Sequence, residues 1–168
     1  MRKSKLLIFI LILAITFISF GCTEQSEEIK DEKIKIGFLL DTLEEERWQK
    51  DRDIFVAEAQ KRGAEVLVQV ANGDDYLQLQ QAKKLINENV DVLLVVPHDK
   101  DYSKKIVELA HSEGIKVIAY DRLIKGNVDY YISFDNEMIG KLQGNYLVNQ
   151  LDIKKGNIVY LGGDPDDN

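Results

Sequence analysis

Carboxylates, guanidinium groups, amides and a single indole recur at a few points of the chain that otherwise border apolar runs: Asp41-Thr42, Arg47-Trp48, Asn72-Gly73-Asp74-Asp75, Pro97-His98-Asp99 and Asp121-Arg122. Such a set suits a polyol. A carboxylate accepts two hydroxyl protons, a guanidinium donates a rigid fork of hydrogen bonds, and an aromatic face covers the C–H side of a ring. Each group also has a plainer reading. Trp48 shares helical spacing with Phe55, which suits core packing as well as a ligand platform. Asp121-Arg122 also reads as a surface ion pair, and His98 as a loop histidine. Glu44, Glu45 and Glu46 suit the first turn of a helix through its macrodipole.

Other chemistries lack their residues. A nucleotide site needs a glycine-rich first loop whose N–H groups approach phosphate. The loop Leu40 to Trp48 has no glycine and four carboxylates. No zinc pattern is present, with one cysteine and two distant histidines, His98 and His111. A hydrolase or receiver-like enzyme using Asp41 or Asp99 would need a further constellation, and none is found. No catalytic residue, cofactor or metal is therefore expected. A net charge of −7 argues against nucleic acid, which calls for clustered Lys and Arg.

These residues are placed by an alternating pattern of short apolar runs and amphipathic stretches, the mark of βαβ units and a parallel sheet. Strands are expected at 34–40, 65–70, 91–96 and 115–120, nearly continuous in apolar residues because helices cover both faces. The helices between them carry Trp48, Phe55 and Ala59, then Leu79, Ala82 and Ile86, then Ile106, Leu109 and Ala110 at helical spacing. Thr42 with Glu45 predicts a capping box, Gly63 and Gly114 predict helix ends, and Pro97 closes the third strand. In such a sheet, ligands bind at the carboxyl ends of the strands, where the polar groups named above lie. After Asp121 come a strand at 129–134, a helix at 136–151 with inner face Ile139, Leu142 and Tyr146, and a strand at 157–161. A strand, helix and strand alone bury too little to offset their ordering entropy, so this unit reads as cut off.

The first residues are of another kind. A basic start precedes the run Leu6 to Phe20, apolar except at Thr16 and Ser19, and the small pair Gly21-Cys22 follows. Being shorter than the ~20 residues of a spanning helix, the run reads as a secretion signal. Ser19-Phe20-Gly21-Cys22 resembles a lipobox, which predicts lipid on Cys22 and location at the outer membrane face. Removal of residues 1–21 takes three basic residues and shifts the net charge from −7 to −10.

The segments Glu46 to Val56, Ala71 to Gly73, Ala119 to Ile124 and Tyr131 to Glu137 together resemble the bacterial D-xylose-binding proteins of ABC transporters, within the ribose/galactose type of periplasmic binding proteins. The resemblance runs from about Lys33 to the last residue. It implies a type I periplasmic-binding-protein-like α/β fold, with two Rossmann-like lobes joined by a hinge and closing over one sugar. Residues 1–21 are then a lipoprotein signal peptide, 22–32 a tether, 33–121 the N-terminal lobe, and 122–168 the hinge and the incomplete beginning of a second lobe. By position, the resemblance assigns sugar contacts to Asp41, Arg47, Trp48, Asp121 and Arg122. It adds Asp167 and Asn168 from the final loop, where Asp164 and Asp166 replace a small hydroxyl and an apolar residue. The implied function is capture of D-xylose, or a similar small neutral sugar, for an ABC permease. The alternative is a co-receptor that reports sugar to a membrane sensor histidine kinase.

Overall fold

Five apolar segments pair into one parallel sheet, with helices supplied by the amphipathic stretches between them. The computed structural model describes residues 33–150, 157 and 159–162. In chain order the elements are β1 (Lys35–Leu40), α1 (Glu46–Lys61), β2 (Glu65–Val70), α2 (Asp75–Asn87), β3 (Val92–Val95), α3 (Lys104–Ser112), β4 (Lys116–Tyr120), β5 (Tyr130–Ile132) and α4 (Asn136–Gln150). The strand order is β2-β1-β3-β4-β5, so the order reverses between β1 and β3. Register places Phe38 beside Val68 on one side and Leu94 on the other, and Leu94 beside Ile118.

Alternation along each strand distributes the apolar residues between two cores. Leu39, Leu93, Val95, Val117 and Ala119 pack with Ala82 and Leu85 of α2 and with Ile106, Val107 and Ala110 of α3. Phe38, Leu40, Leu94 and Val96 pack on the other face with Trp48 of α1. Both residues of each alternating pair are thus buried, which is why the strands read as unbroken apolar runs. Each large side chain enclosed in this way contributes about 1.5–3 kcal/mol. Gly37 keeps α2 close to β1, since a Cβ there would stand 2.7 Å from Leu93 Cδ2 and 3.0 Å from Leu85 Cδ1.

Helix ends follow local chemistry, with one correction. Gly63 (φ 88°) and Gly114 (φ 74°) close α1 and α3 in the left-handed conformation, and Asn89 (φ 58°) does the same after α2. Asp74 caps α2 by accepting from Leu77 N at 2.8 Å. The capping box expected at Thr42 does not form. Thr42 Oγ1 accepts instead from Glu44 N at 3.0 Å, and α1 starts only at Glu46, with Glu45 as an extended N-cap that makes no side-chain bond. A short loop therefore separates β1 from α1 and sets the first turn of α1 over the end of the sheet.

Two further expectations are corrected after β5. Ile139, Leu142 and Tyr146 of α4 are 39%, 61% and 65% exposed, because no described element packs against that helix face. Residues 157 and 159–161 form no strand, and Val159, Tyr160 and Leu161 lie open to solvent. A strand exists only through its ladder, and no described neighbour pairs with this segment. Among the described residues, no helix is long and apolar enough to cross a membrane.

Candidate functional site

The carboxyl ends of β1, β3 and β4 converge at the point where strand order reverses, and they carry Asp41, His98 and Asp121-Arg122. Beside them lies a half-open cleft of about 430 Å³, lined by Arg47 and Trp48 from the start of α1, Asp121 and Arg122 after β4, and Ser133 and Phe134 after β5. Glu45 and Asn136 complete its rim. That volume lies within the range of small-ligand clefts.

Asp121 is the pivot of this wall. Its backbone has φ 63°, a left-handed conformation that Asp tolerates better than most residues. Surrounding bonds hold it there: its N–H donates to Ile132 O at 2.7 Å, and its carbonyl accepts from Tyr131 Oη at 3.1 Å and Ser133 Oγ at 2.8 Å. Strain so constrained aims a side chain that a relaxed loop would not. The Asp121 carboxylate meets the Arg47 guanidinium. Arg47 in turn lies 3.7 Å from Asp51, 4.5 Å over the Trp48 ring and 5.4 Å from the Phe134 ring. Partial burial works to lower the Arg47 pKa, but the hydrogen bond and charge of Asp121, with Asp51 behind, outweigh it and hold the group above its ordinary value.

A second pair lies deeper. Arg122 Nη1 donates to Asp41 Oδ2 at 2.7 Å and approaches Pro97 O at 3.4 Å, with its guanidinium 5.8 Å from the Trp48 ring. The Asp41 side chain is only 6% exposed and does not line the cleft. The expected contact residue of the first loop thus stands behind Arg122 as its counter-ion. Trp48, 5% exposed, answers the question its spacing left open by belonging to both settings. Its ring joins the core under α1 while its remaining surface meets the two guanidinium groups and the cleft.

Several supporting residues escaped the sequence reading. Tyr120 Oη donates to Asp51 Oδ2 at 3.0 Å, and burial followed by that bond pushes the phenol up to about 12. Asp51 therefore links Tyr120 to Arg47; it lies in the Glu46 to Val56 segment without an assigned role, four residues from Arg47 along one helix face. Phe134 and Ser133 lie in a segment that carries the family likeness but had no assigned role. Cys22, Asp167 and Asn168 lie outside the described residues. Among the described residues, no group of His, Cys, Asp or Glu is placed to hold a metal ion.

A doubly wound lobe whose switch point presents paired guanidinium and carboxylate groups beside aromatic rings, without a phosphate-cradling glycine loop, belongs to the class of small-ligand-binding α/β lobes. Residues 36–168 match the family described as the periplasmic binding protein domain, and the chain belongs to that family. It is 48% identical over 145 residues to the D-xylose-binding periplasmic protein of Haemophilus influenzae, covering 85% of this chain and 43% of that protein. An ABC transporter solute-binding protein from Clostridium phytofermentans, solved with bound β-D-glucose, superposes with a TM-score of 0.71 at 31% identity. That match covers 79% of this chain and 43% of the other. The fructose-binding periplasmic domain of a hybrid two-component system matches with a TM-score of 0.60 at 28% identity, over 71% of this chain and 40% of that domain. The chain thus spans less than half the length of these relatives.

Proposed function

We propose that this chain supplies the first lobe, residues 33–121, and the start of a second, in an extracytoplasmic receptor that captures D-xylose or a similar small neutral sugar for an ABC permease. The observation that carries this reading is the pairing of Arg47 with Asp121 and of Arg122 with Asp41 at the switch point. The charged residues of the cleft, Glu45, Arg47, Asp121 and Arg122, sum to zero, which suits an uncharged ligand. Neutral sugar hydroxyls hydrogen-bond to both members of the pairs: they donate to the Asp121 carboxylate and accept from Arg47 and Arg122. Each charge-assisted bond is worth about 1.5–3 kcal/mol, and an epimer that leaves one group unpaired loses that amount. Phe134 and the exposed margin of Trp48 cover the C–H side of the ring.

Asp167 and Asn168 complete the contacts from the second lobe in this proposal, and lipid on Cys22 holds the receptor at the outer membrane face. Calorimetry of the intact protein with D-xylose, D-ribose and D-glucose tests the ligand. Binding of D-xylose that is lost in Arg122→Ala supports the reading; absence of heat with every sugar ends it. Mass spectrometry of the mature N-terminus tests the anchor, which an unmodified Cys22 refutes. The likeness to the two-component fructose-binding domain favours a second reading, in which the closed lobes signal to a sensor kinase. Cross-linking in membranes distinguishes a permease from a kinase as the captured partner.

A further inference from the structure

Two consecutive residues at the end of β4 reach the same helix. Asp121 meets the Arg47 guanidinium, while the residue before it, Tyr120, donates from Oη to Asp51 Oδ2 at 3.0 Å. Asp51 lies one turn along α1 from Arg47, and the same Oδ2 stands 3.7 Å from Arg47 Nε. The guanidinium is thus flanked by carboxylates from two elements, one beside Nη2 and one beside Nε. By itself the step from Arg47 to Asp51 is a helix-surface ion pair of little worth. Tyr120 changes that, because it holds the carboxylate from outside the helix.

Tyr120 is itself held. Its ring packs against the core beneath α1 and stands edge-on to Phe38 with 6.5 Å between ring centres, and Phe38 meets Phe55 of α1 in the same way at 5.1 Å. Burial, followed by the bond to Asp51, keeps the phenol up at about 12, so it stays a donor throughout the neutral range. Neither Tyr120 nor Asp51 lines the cleft that holds Arg47, Trp48 and Arg122. Both face a separate apolar crevice of about 300 Å³ between α1 and strands β3 to β5. An effect of either residue on a ligand in the cleft therefore has to pass through Arg47.

We propose that Tyr120 and Asp51 are the positioning pair for Arg47: the phenol fixes the Asp51 carboxylate, and that carboxylate together with Asp121 leaves the guanidinium a single orientation from which to donate into the cleft. This rests on the sugar-receptor reading and adds to it two residues that touch no ligand. Their contribution is preorganisation. The Arg47 side chain is 46% exposed and has several rotatable bonds, so a guanidinium held only at Nη2 swivels in the free protein and must be ordered again whenever a ligand binds. A second anchor imposes that order before the ligand arrives.

The test is Tyr120→Phe in the intact protein, which removes one oxygen and keeps the ring in the core. Asp51→Asn serves as a second variant, keeping shape and an acceptor for the phenol but losing the charge beside Nε. Each is expected to weaken D-xylose binding in calorimetry by about three- to tenfold, the range set by ordering one rotamer-rich side chain. In an Arg47→Lys background, where no guanidinium remains to be oriented, Tyr120→Phe should weaken binding no further. A loss below about twofold in either variant, or an equal loss from Tyr120→Phe in both backgrounds, overturns the proposal. A sugar-free readout separates this from failure of the receptor reading. Nitrogen relaxation at the Arg47 Nε–H should report an ordered side chain in the wild type and a lower order parameter in both variants. If no sugar binds, the receptor reading falls while this relaxation still decides the pair; an order parameter unchanged in either variant overturns the pair itself.

Discussion

Substituting Asp121 by Ala and by Gly separates two jobs that one residue performs. The backbone at this position has φ 63°, and a left-handed conformation costs an ordinary L-residue roughly 1–2 kcal/mol. Gly is free of that cost but loses about 0.4–1 kcal/mol through the greater entropy of its unfolded chain. The difference leaves Asp121→Gly more stable than Asp121→Ala by about 0.5–1 kcal/mol. Ligand binding should order the variants differently. Both remove the carboxylate that holds Arg47, so both should weaken D-xylose binding by about 2 kcal/mol or more, roughly thirtyfold. Urea denaturation gives the first number and calorimetry the second. Asp121→Ala more stable than Asp121→Gly by about 0.4–1 kcal/mol would show that the left-handed backbone carries no strain. A binding loss under about 0.5 kcal/mol in both would return Asp121 to the status of a surface ion pair.

Gly37→Ala should destabilise the lobe by about 1–2 kcal/mol in a denaturant titration, because the new methyl group meets the buried Leu93 and Leu85 side chains; an unchanged midpoint would mean that those leucines can shift. Asp129 accepts from Val117 N at 2.8 Å and pairs with His111 at 2.9 Å, and these bonds hold its carboxyl below the usual value of 3.8. A depressed folded pKa contributes stability above the unfolded value that disappears as pH falls through the folded one, so Asp129→Asn should lower the melting temperature at neutral pH and lose that deficit below about pH 3.8. The recombinant chain without residues 1–21 should self-associate in light scattering, since Leu142, Tyr146 and Val148 stand exposed on α4 and β5 is an edge strand; a monodisperse monomer at high concentration would show that these residues are covered by the chain itself.

What the sequence determined by itself is the part of the molecule governed by neighbours in the chain. The four apolar runs became β1 to β4 within a residue or so of the expected bounds, because a buried parallel strand needs only its own continuous apolar content to be recognised. Gly63 and Gly114 marked helix ends for an equally local reason, the ease of positive φ without a Cβ. The switch-point loops were legible as well, since polar groups that directly follow strands must lie at the sheet's carboxyl edge. Thr42 shows where local reading fails: its spacing to Glu45 is that of a capping box, yet the chain runs through a bent loop and α1 begins only at Glu46.

Tertiary structure decided what each polar group meets. Asp41 and Arg122 are far apart in sequence and 2.7 Å apart in space, and only the neighbouring ends of β1, β3 and β4 make the first a buried counter-ion instead of a cleft residue. His98 became a partner of Asp41 through the same convergence. Trp48 could be placed only once the short loop before α1 laid its ring over the sheet, half in the core and half beneath two guanidinium groups. The apolar face of α4 shows the converse, because periodicity states which side of a helix seeks burial, while burial itself requires a second surface to be there. Pattern along a chain encodes the preference of each residue; contact between distant segments, which no local pattern contains, decides whether that preference is met.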